Sequence, residues 1–264
     1  VSFNDALAAG RVRMVWIACT NPAQSLPDQA TVRAGLARAE LVVLQEAFAN
    51  TETAAYADVL LPATTWGEKD GTVTNSERRI SRVRPALPPP GEARHDWRIA
   101  AAFAQRLEAR LRPGAGTLFP YATPAEIFAE HVATTRGRDL DITGLDYAVL
   151  EREGPQQWPY PAGAGQGRAR LYTDGSFATP DGRARFAAVR YTPVAEPANA
   201  HHPFRLNTGR LRDQWHGMTR TGLAASLYAH APGPVLEMHP ADLARRQFAD
   251  GDLVRVESKR GSVI

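Results

Sequence analysis

Cysteine is nearly absent from this sequence, in which Cys19 is the single example among 264 residues. One cysteine excludes a disulfide within the chain and a zinc or iron–sulfur site made of cysteines alone. A low cysteine content is in keeping with a reducing cytoplasm, which is the location we expect. We interpret Cys19, at the end of a predicted strand, as a small buried residue rather than as a metal ligand.

Long hydrophobic runs and secretion signals are also missing. No stretch approaches the roughly 18 consecutive apolar residues of a membrane span, and no charged segment followed by an apolar one opens the chain. We therefore expect neither a membrane span nor export. The chain begins at Val1 and ends at Ile264 within a predicted strand, so we interpret it as an interior piece of a longer polypeptide.

Lysine is scarce, since only Lys69 and Lys259 are lysines among 31 basic residues. The formal net charge is +3. No basic stripe with interleaved aromatic residues is present, so the sequence gives no indication of nucleic-acid binding. A modest positive balance instead suits a ligand that carries a pyrophosphate.

Residues 1–111 have the pattern of an α/β domain. Asp28 is the expected N-cap of one helix, and a second helix is predicted from Asp96 to Leu111. Three apolar runs predict buried parallel strands, over Arg13–Ala18, Leu41–Gln45 and Val59–Leu61. The second helix should bury a stripe formed by Ile99, Phe103 and Leu107.

Polar side chains follow each of these predicted strands. The first strand leads into Asn21, the second into Gln45 and Glu46, and the third through Trp66 to Lys69. Ligands of open α/β sheets bind beyond the carboxyl ends of the strands. We therefore expect all of these side chains to point toward one crevice.

Beyond residue 111 the pattern changes twice. Residues 112–200 read as a connecting segment, with a helix over Pro124–Thr134 and short hairpins at Leu171–Tyr172 and Arg185–Val189. Residues 201–264 have β character, with a short helix near Pro240 and an alternating strand over Leu253–Glu257. These boundaries predict three parts, 1–111, 112–200 and 201–264.

The segment TGRLRDQWHGMTRTG, Thr208 to Gly222, has neither the alternation of a strand nor the stripe of a helix. Its glycines allow close approach of the backbone, and its three arginines offer planar donors for phosphate. Trp215 adds a flat face. The composition indicates an ordered loop around a large anionic ligand, although an ordinary basic surface loop has a similar composition.

Five blocks of the sequence resemble, in order, the molybdenum oxidoreductases that carry two molybdopterin guanine dinucleotides. The resemblance is greatest to the large subunits of bacterial assimilatory nitrate reductases. It is carried by WIACTNPAQSLPD (16–28), VLLPATTWGEKDGTVTNSERR (59–79), PPPGEARHDW (88–97), TGRLRDQWHGMTRTG (208–222) and HPADLARRQFADGDLVRVESKRG (239–261).

The resemblance implies a fold and a set of cofactor contacts. Residues 1–111 would belong to a Rossmann-like parallel-sheet domain, and residues 201–264 would begin a double-psi β-barrel. Asp96 would accept hydrogen bonds from the guanine base, Lys69 would contact a phosphate, and Glu46 would accept from the ribose. The implied cofactor-binding residues are Asn21, Gln45, Glu46, Lys69, Asp96, Thr208, Gly209, Arg210, Leu211, Arg212, Asp213, Gln214, Trp215, His216 and Gly217. Gln45 and Glu46 depart from the Ser-Asp pair of the periplasmic branch.

Simpler interpretations accompany several of these residues. Asp96 opens a predicted helix and suits a helix cap. His216 has no partner at metal-site spacing, so no metal ligand is assigned and the catalytic residues remain unknown. The charged run Glu77–Arg79 is interpreted as a structural ion network. If Gln247 is left-handed, its side chain costs about 1 kcal/mol.

The resemblance implies molybdenum bis(molybdopterin guanine dinucleotide) as cofactor and nitrate, reduced to nitrite by oxygen-atom transfer, as substrate. An iron–sulfur cluster in the missing N-terminal part and an electron-donor protein or subunit would supply electrons. We expect the 264-residue piece alone to be inactive. The alternatives are a formate dehydrogenase of the same superfamily and a non-catalytic scaffold relative that has lost the pterins.

Overall fold

The computed structural model describes residues 3–231 and 233–264. Residues 1, 2 and 232 lie outside this description, including the first two residues of the predicted 1–111 part. The chain divides into two compact units, Val1–Arg185 and Phe186–Ile264. The two units are described separately below.

The first unit contains a three-stranded parallel sheet, as the apolar runs predict. Strand β1 spans Met14–Ala18, β2 spans Leu41–Glu46 and β3 spans Val59–Pro62, in the spatial order β1-β2-β3. Gln45 of β2 lies opposite Ala18 of β1 and Leu61 of β3. The carboxyl ends of the three strands are therefore level, so that residues following them share one edge of the sheet.

One face of this sheet is covered by two helices. Helix α1 spans Phe3–Ala8 and α3 spans Gln29–Arg38, with the short α2 at Pro22–Ser25 between β1 and α3. Alternate residues of a strand point to opposite faces, and Val42 and Leu44 of β2 face these helices. The first core consists of Leu7, Ile17, Ala23, Val32, Leu36, Val42 and Leu44.

Helix α4, Asp96–Leu111, has the predicted bounds and approaches the opposite face of the sheet. Trp16 of β1 contacts Phe103 edge-to-face with ring centroids 4.9 Å apart. Ile99 is buried as predicted, but Phe103 and Leu107 are exposed. The predicted buried stripe is therefore wrong beyond its first turn, because Phe103 and Leu107 keep 45% and 42% of their surface exposed.

A second, antiparallel sheet completes the first unit. Strands β4 (Gly71–Thr74), β5 (Arg79–Val83) and β6 (Gln156–Gln157) pair in that order. Helices α5 (Pro124–Thr134) and α6 (Tyr147–Glu153) contribute to its core, which consists of Ile80, Phe128, Val132, Ile142, Leu145, Leu150 and Tyr160. Part of the segment predicted as a connection thus forms a hydrophobic core. The predicted hairpins at Leu171–Tyr172 and Arg185–Val189 are wrong, since no strand forms at either place.

The second unit has little regular structure. Helix α7 spans Pro240–Arg246, and strands β7 (Val256–Ser258) and β8 (Gly261–Val263) form an antiparallel pair. The predicted strand over Leu253–Glu257 thus begins three residues late. Gln247, which follows α7, has φ 57° and ψ 36°, the left-handed conformation considered from the sequence. Within the described residues, no helix has the length and hydropathy to cross a membrane.

Candidate cofactor-binding site

Two of the residues predicted to share a crevice, Gln45 and Lys69, meet Asp96 at the carboxyl edge of the parallel sheet. Oδ2 of Asp96 lies 2.6 Å from Nζ of Lys69, and Oδ1 of Asp96 accepts a 2.8 Å hydrogen bond from Nε2 of Gln45. We call Gln45, Lys69 and Asp96 the carboxylate cluster. Each oxygen of Asp96 thus has one nitrogen donor from another side chain, and about a third of the side chain remains exposed.

Local structure explains why these three side chains meet. Gln45 is on the same face of β2 as Val43, which is the face that α4 approaches. Its amide therefore reaches the first residue of α4, although Gln45 itself is only 5% exposed. Lys69 ends the 3₁₀ turn Trp66–Glu68, which Thr65 and Glu68 close with a reciprocal capping box.

The cluster keeps Asp96 ionised. Partial burial opposes ionisation, but the hydrogen bonds from Lys69 and Gln45 outweigh it, and the pKa of Asp96 lies below its ordinary value. Asp96 is the first residue of α4, where His95 holds the N-cap position. The interpretation of Asp96 as a helix cap is therefore wrong, because His95 holds that position and the Asp96 carboxylate binds Lys69 and Gln45.

Asn21 does not join the carboxylate cluster. Its Nδ2 donates a 2.6 Å hydrogen bond to Glu52, and its Oδ1 accepts from the backbone N–H and hydroxyl of Thr53 at 3.1 and 2.6 Å. The hydrogen bond from Asn21 is the largest contribution that lowers the pKa of Glu52. The Asn21 side chain thus ties the turn after β1 to the 3₁₀ turn Glu52–Tyr56.

Glu46 also turns away from the cluster. Its Oε1 accepts hydrogen bonds from the backbone N–H groups of Ala47 and Phe48, at 2.7 and 3.3 Å. Both contacts are local, so Glu46 stabilises the turn that leaves β2. Its second carboxylate oxygen carries no hydrogen bond among the described residues.

Cys19 lies beside the cluster, with Sγ 4.0 Å from Oδ1 of Asp96. It is exposed, and its φ of 60° is left-handed. The expectation of a buried Cys19 is therefore wrong, because the left-handed backbone at the end of β1 turns the residue out of the sheet. Strand position alone carried no signal of this turn.

The segment Thr208–Gly222 in the second unit, called the Trp215 loop below, is irregular, as predicted, and its second half consists of turns. Trp215 organises it. The guanidinium carbons of Arg210 and Arg220 lie 4.8 and 4.5 Å from the Trp215 ring centroid, within the range of cation–π contacts. His216, with a left-handed φ of 35°, contacts the same ring edge-to-face.

Arg212 and Asp213 occupy a second part of this loop with His230, which the sequence did not indicate. Asp213 lies 3.2 Å from Arg212 and 2.7 Å from His230. The hydrogen bond from Arg212 is the main cause that holds the pKa of Asp213 below its ordinary value. These residues line a cavity of about 260 Å³, together with Leu211, Gln214, Leu227 and Ala231. Gln214 also accepts a 3.0 Å hydrogen bond from the buried Thr221.

The predicted ion network at Glu77–Arg79 is wrong. Arg78, with a left-handed φ of 66°, donates to the carbonyl oxygens of Trp158, Arg168 and Ala169. No ion pair among the described residues includes Glu77, Arg78 or Arg79. An ion network is formed instead by two arginines later in the sequence and their acidic partners, and consists of Asp70, Arg82, Arg84 and Glu151.

A metal-ligand cluster is not found among the described residues, which contain no group of three or more His, Cys, Asp or Glu side chains placed to hold a metal ion. The donors and acceptors described above are instead of the kinds that suit an organic, anionic ligand. An ionised carboxylate with two oxygens matches paired N–H donors, and lysine and arginine match phosphate.

Two family models match the chain. Residues 1–106 match "Molybdopterin oxidoreductase", and residues 204–264 match "Molydopterin dinucleotide binding domain". The first match contains the carboxylate cluster, and the second contains the Trp215 loop.

Relatives of known name cover nearly all of this chain. A nitrate reductase of Klebsiella oxytoca is 42% identical over 98% of the chain, which amounts to 30% of that relative. An F420-dependent formate dehydrogenase subunit alpha of Methanocaldococcus jannaschii is 36% identical over 96% of the chain and 36% of its own length. The chain thus spans about a third of the length of these relatives.

A solved structure has a similar fold. Acetylene hydratase from Pelobacter acetylenicus matches 98% of this chain with a TM-score of 0.60 and 18% sequence identity, over 36% of that protein. At this identity the likeness concerns the fold.

Proposed function

Because the chain belongs to the molybdopterin oxidoreductase family, we propose that it is the molybdopterin guanine dinucleotide-binding portion of a molybdenum-dependent nitrate reductase. The reaction we assign to the complete enzyme is reduction of nitrate to nitrite. The chain by itself is expected to show no turnover, since it spans about 30% of the nitrate reductase it matches.

The observation that carries this proposal is the ionised Asp96 in the carboxylate cluster. Guanine presents N1–H and the exocyclic amino group side by side, and a carboxylate accepts from both, whereas adenine offers no such pair. The pKa of Asp96 lies below its ordinary value, so the carboxylate is an acceptor at neutral pH and in mild acid. Its partial exposure leaves room for a ligand to approach, so the residues present fit the group that the family implies.

Lys69 and Gln45 support the same assignment. Lys69 lies 2.6 Å from Asp96, and an ammonium at this point suits a phosphate or ribose oxygen of the dinucleotide. Gln45 fixes the Asp96 carboxylate from the buried side. We assign Glu46 to the ribose through the oxygen that the Ala47 and Phe48 N–H groups leave free. Asn21 is assigned to the neighbourhood of the phosphates, where its partnered side chain has a supporting role.

The second unit would contribute the pterin contacts. We assign them to the continuous stretch Thr208–Gly217, in which side chains and backbone N–H groups both take part. Arg210 and Arg220 lie next to the Trp215 ring and form no ion pair with any described residue, so their guanidinium groups are available to an anion. Arg212 differs, because Asp213 already pairs with it.

The finer architecture is part of the proposal. We assign the parallel sheet with α4 to a Rossmann-like domain, and residues 201–264 to the start of a double-psi β-barrel. We retain the division into 1–111, 112–200 and 201–264 for the complete enzyme. The level carboxyl ends of β1, β2 and β3 support the first assignment.

When bound, the molybdenum cofactor supplies the redox chemistry that removes an oxygen atom from nitrate. The residues of this chain bind and orient the cofactor, and the catalytic residues are left unassigned. An iron–sulfur cluster elsewhere in the complete polypeptide and an electron-donor protein or subunit would deliver electrons. The proposed location is the cytoplasm, in nitrate assimilation.

Nitrate is preferred to formate because the relative with 42% identity is a nitrate reductase, whereas the formate dehydrogenase relative has 36%. A non-catalytic scaffold is disfavoured, because Lys69 and Asp96 keep an ionised pair suited to a dinucleotide.

Activity and cofactor assays on the complete protein, purified from its native source, distinguish these functions. We expect nitrite to form from nitrate with reduced methyl viologen, and no reduction of oxidised viologen by formate. Formate oxidation without nitrate reduction would establish the alternative enzyme. A preparation that contains no molybdenum and no pterin would establish the scaffold.

A further inference from the structure

Arg82 lies at the centre of a contact network that begins one residue after Lys69. Its side chain is only 10% exposed, which is low for an arginine. Nη1 of Arg82 lies 2.8 Å from Oδ1 of Asp70 in an ion pair without hydrogen-bond geometry. Nη1 also donates to the carbonyl oxygens of Gly71 and Val83. Arg82 thus fixes both the side chain of Asp70 and the backbone of the next residue.

The same guanidinium is held from the other side by helix α6. Nε of Arg82 donates a 3.0 Å hydrogen bond to Oε1 of Glu151, and its central carbon lies 3.6 Å from the centroid of the Tyr147 ring. Tyr147 and Glu151 are four residues apart and therefore share one face of α6. Helix α6 lies in the segment predicted as a connection, and no sequence pattern associates it with a binding site.

We propose that Arg82 is a positioning residue that holds Lys69 against Asp96, so that helix α6 acts through it on the carboxylate cluster. Lys69 directly precedes Asp70 and Gly71, the two residues that Arg82 fixes. Its Nζ lies 2.6 Å from Asp96, a contact that requires the backbone at Lys69 to keep its place. The consequence for dinucleotide binding rests on the proposed function, whereas the geometry of the Lys69–Asp96 pair does not.

Lysine cannot replace arginine in this position. The planar guanidinium donates in several directions at once and stacks on an aromatic ring, whereas the lysine ammonium is a compact point charge. Arg82→Lys therefore keeps the charge but loses the simultaneous contacts with Asp70, Gly71, Glu151 and Tyr147. Arg84→Lys is the matched control, because Arg84 also pairs with Glu151 but is 60% exposed and forms no hydrogen bond or ion pair with Asp70 or Gly71.

The test is a titration of the Asp96 carboxyl carbon by NMR in the 264-residue chain, with the signal assigned from Asp96→Asn. Lys69→Met provides the reference for a lost ion pair, and its titration midpoint should lie above that of the wild type. We expect Arg82→Lys to move the midpoint upward in the same direction, and Arg84→Lys to leave it in place. An Arg82→Lys midpoint equal to the wild type, or an equal shift in Arg84→Lys, would overturn the proposal.

Asp70→Asn keeps the test decisive if Arg82→Lys does not fold. Loss of a nearby negative charge would by itself lower the Asp96 midpoint, whereas release of Lys69 raises it. A rise supports the positioning role, and an unchanged or lower midpoint contradicts it. The titration requires no ligand, so a failure of the positioning role is distinguishable from a failure to bind guanine dinucleotides.

Discussion

Gln45 and Asp96 are joined by a 2.8 Å hydrogen bond between residues 51 positions apart in the sequence. The contact links the end of β2 to the first residue of α4, and it aims the Asp96 carboxylate along the edge of the sheet. Gln45 is buried and Asp96 partly exposed. A buried residue thus supports an accessible one, the arrangement expected of a binding site.

The ion pair between Lys69 and Asp96 predicts a pH-dependent contribution to stability. The pKa of Asp96 is lower in the folded chain than its ordinary value, which is about 3.9. The contribution is therefore present above pH 4 or so and is lost as the pH falls through the folded pKa. Denaturant unfolding of wild type and Lys69→Met should show a stability difference at pH 7 that shrinks in acid. A difference that is constant or grows in acid would contradict this, and Asp96→Asn, which has no carboxylate, is the control.

Asn21 is predicted to contribute mainly to stability. Asn21→Ala removes the acceptor of the buried Thr53 hydroxyl and of its backbone N–H. Loss of such a partner costs about 1–3 kcal/mol. The free energy of unfolding, measured by denaturant titration, should fall by this amount, whereas Gln24→Ala should have a small effect because its contacts are long and exposed. Equal stability of wild type and Asn21→Ala would show that the Asn21 contacts are dispensable.

Gln247 provides a prediction in the second unit. Its left-handed backbone strains a residue with a Cβ atom, and Gly removes that strain. Gln247→Gly should stabilise the unit by up to about 1 kcal/mol, as measured by thermal unfolding. Gln247→Ala keeps the Cβ atom and should give no such gain. A lower unfolding temperature in the glycine variant would contradict the strain argument.

The Trp215 loop is predicted to gain order from its ligand. Arg210 and Arg220 bring like charges to one ring, and an anionic partner would relieve their repulsion. Hydrogen exchange of the complete protein with and without cofactor should show stronger protection of 208–222 in the loaded form. The body of helix α4 should change little. Equal protection in both forms would identify the loop as a preformed structural element.

The sequence predicted those parts of the molecule that depend on local pattern. Strands β1, β2 and β3 follow from apolar runs, and α4 and α5 have their predicted bounds because helical periodicity and caps are local signals. The shared edge of Gln45 and Lys69 follows from parallel strands, whereas the resemblance suggested a binding role for Asp96. These signals do not depend on distant contacts.

Other features depend on contacts that a single sequence does not display. The turn of Cys19 into solvent, the partners of Asn21 and the role of His230 arise from backbone conformation and from residues remote in sequence. Helix α6 was not predicted because it has only seven residues, too few for a clear helical pattern. Its contribution to the Arg82 network comes from packing on β5. The sequence does not distinguish Arg82 from Arg78 and Arg79, because all three have the same charge. The feature that identifies Arg82 is the burial of its side chain in the fold.

The assignment of guanine recognition to Asp96 is tested most directly by the guanine nucleotide content of the complete protein. Asp96→Asn keeps the shape of the side chain but places an amide where the base presents its own donors. One charged, paired contact is lost, worth about 2–3 kcal/mol. Glu92→Gln, which changes an exposed carboxylate close by in sequence, is the matched control. GMP released per chain by acid hydrolysis should fall strongly in Asp96→Asn and stay at the wild-type level in Glu92→Gln. Wild-type GMP content in Asp96→Asn would contradict the assignment of this site.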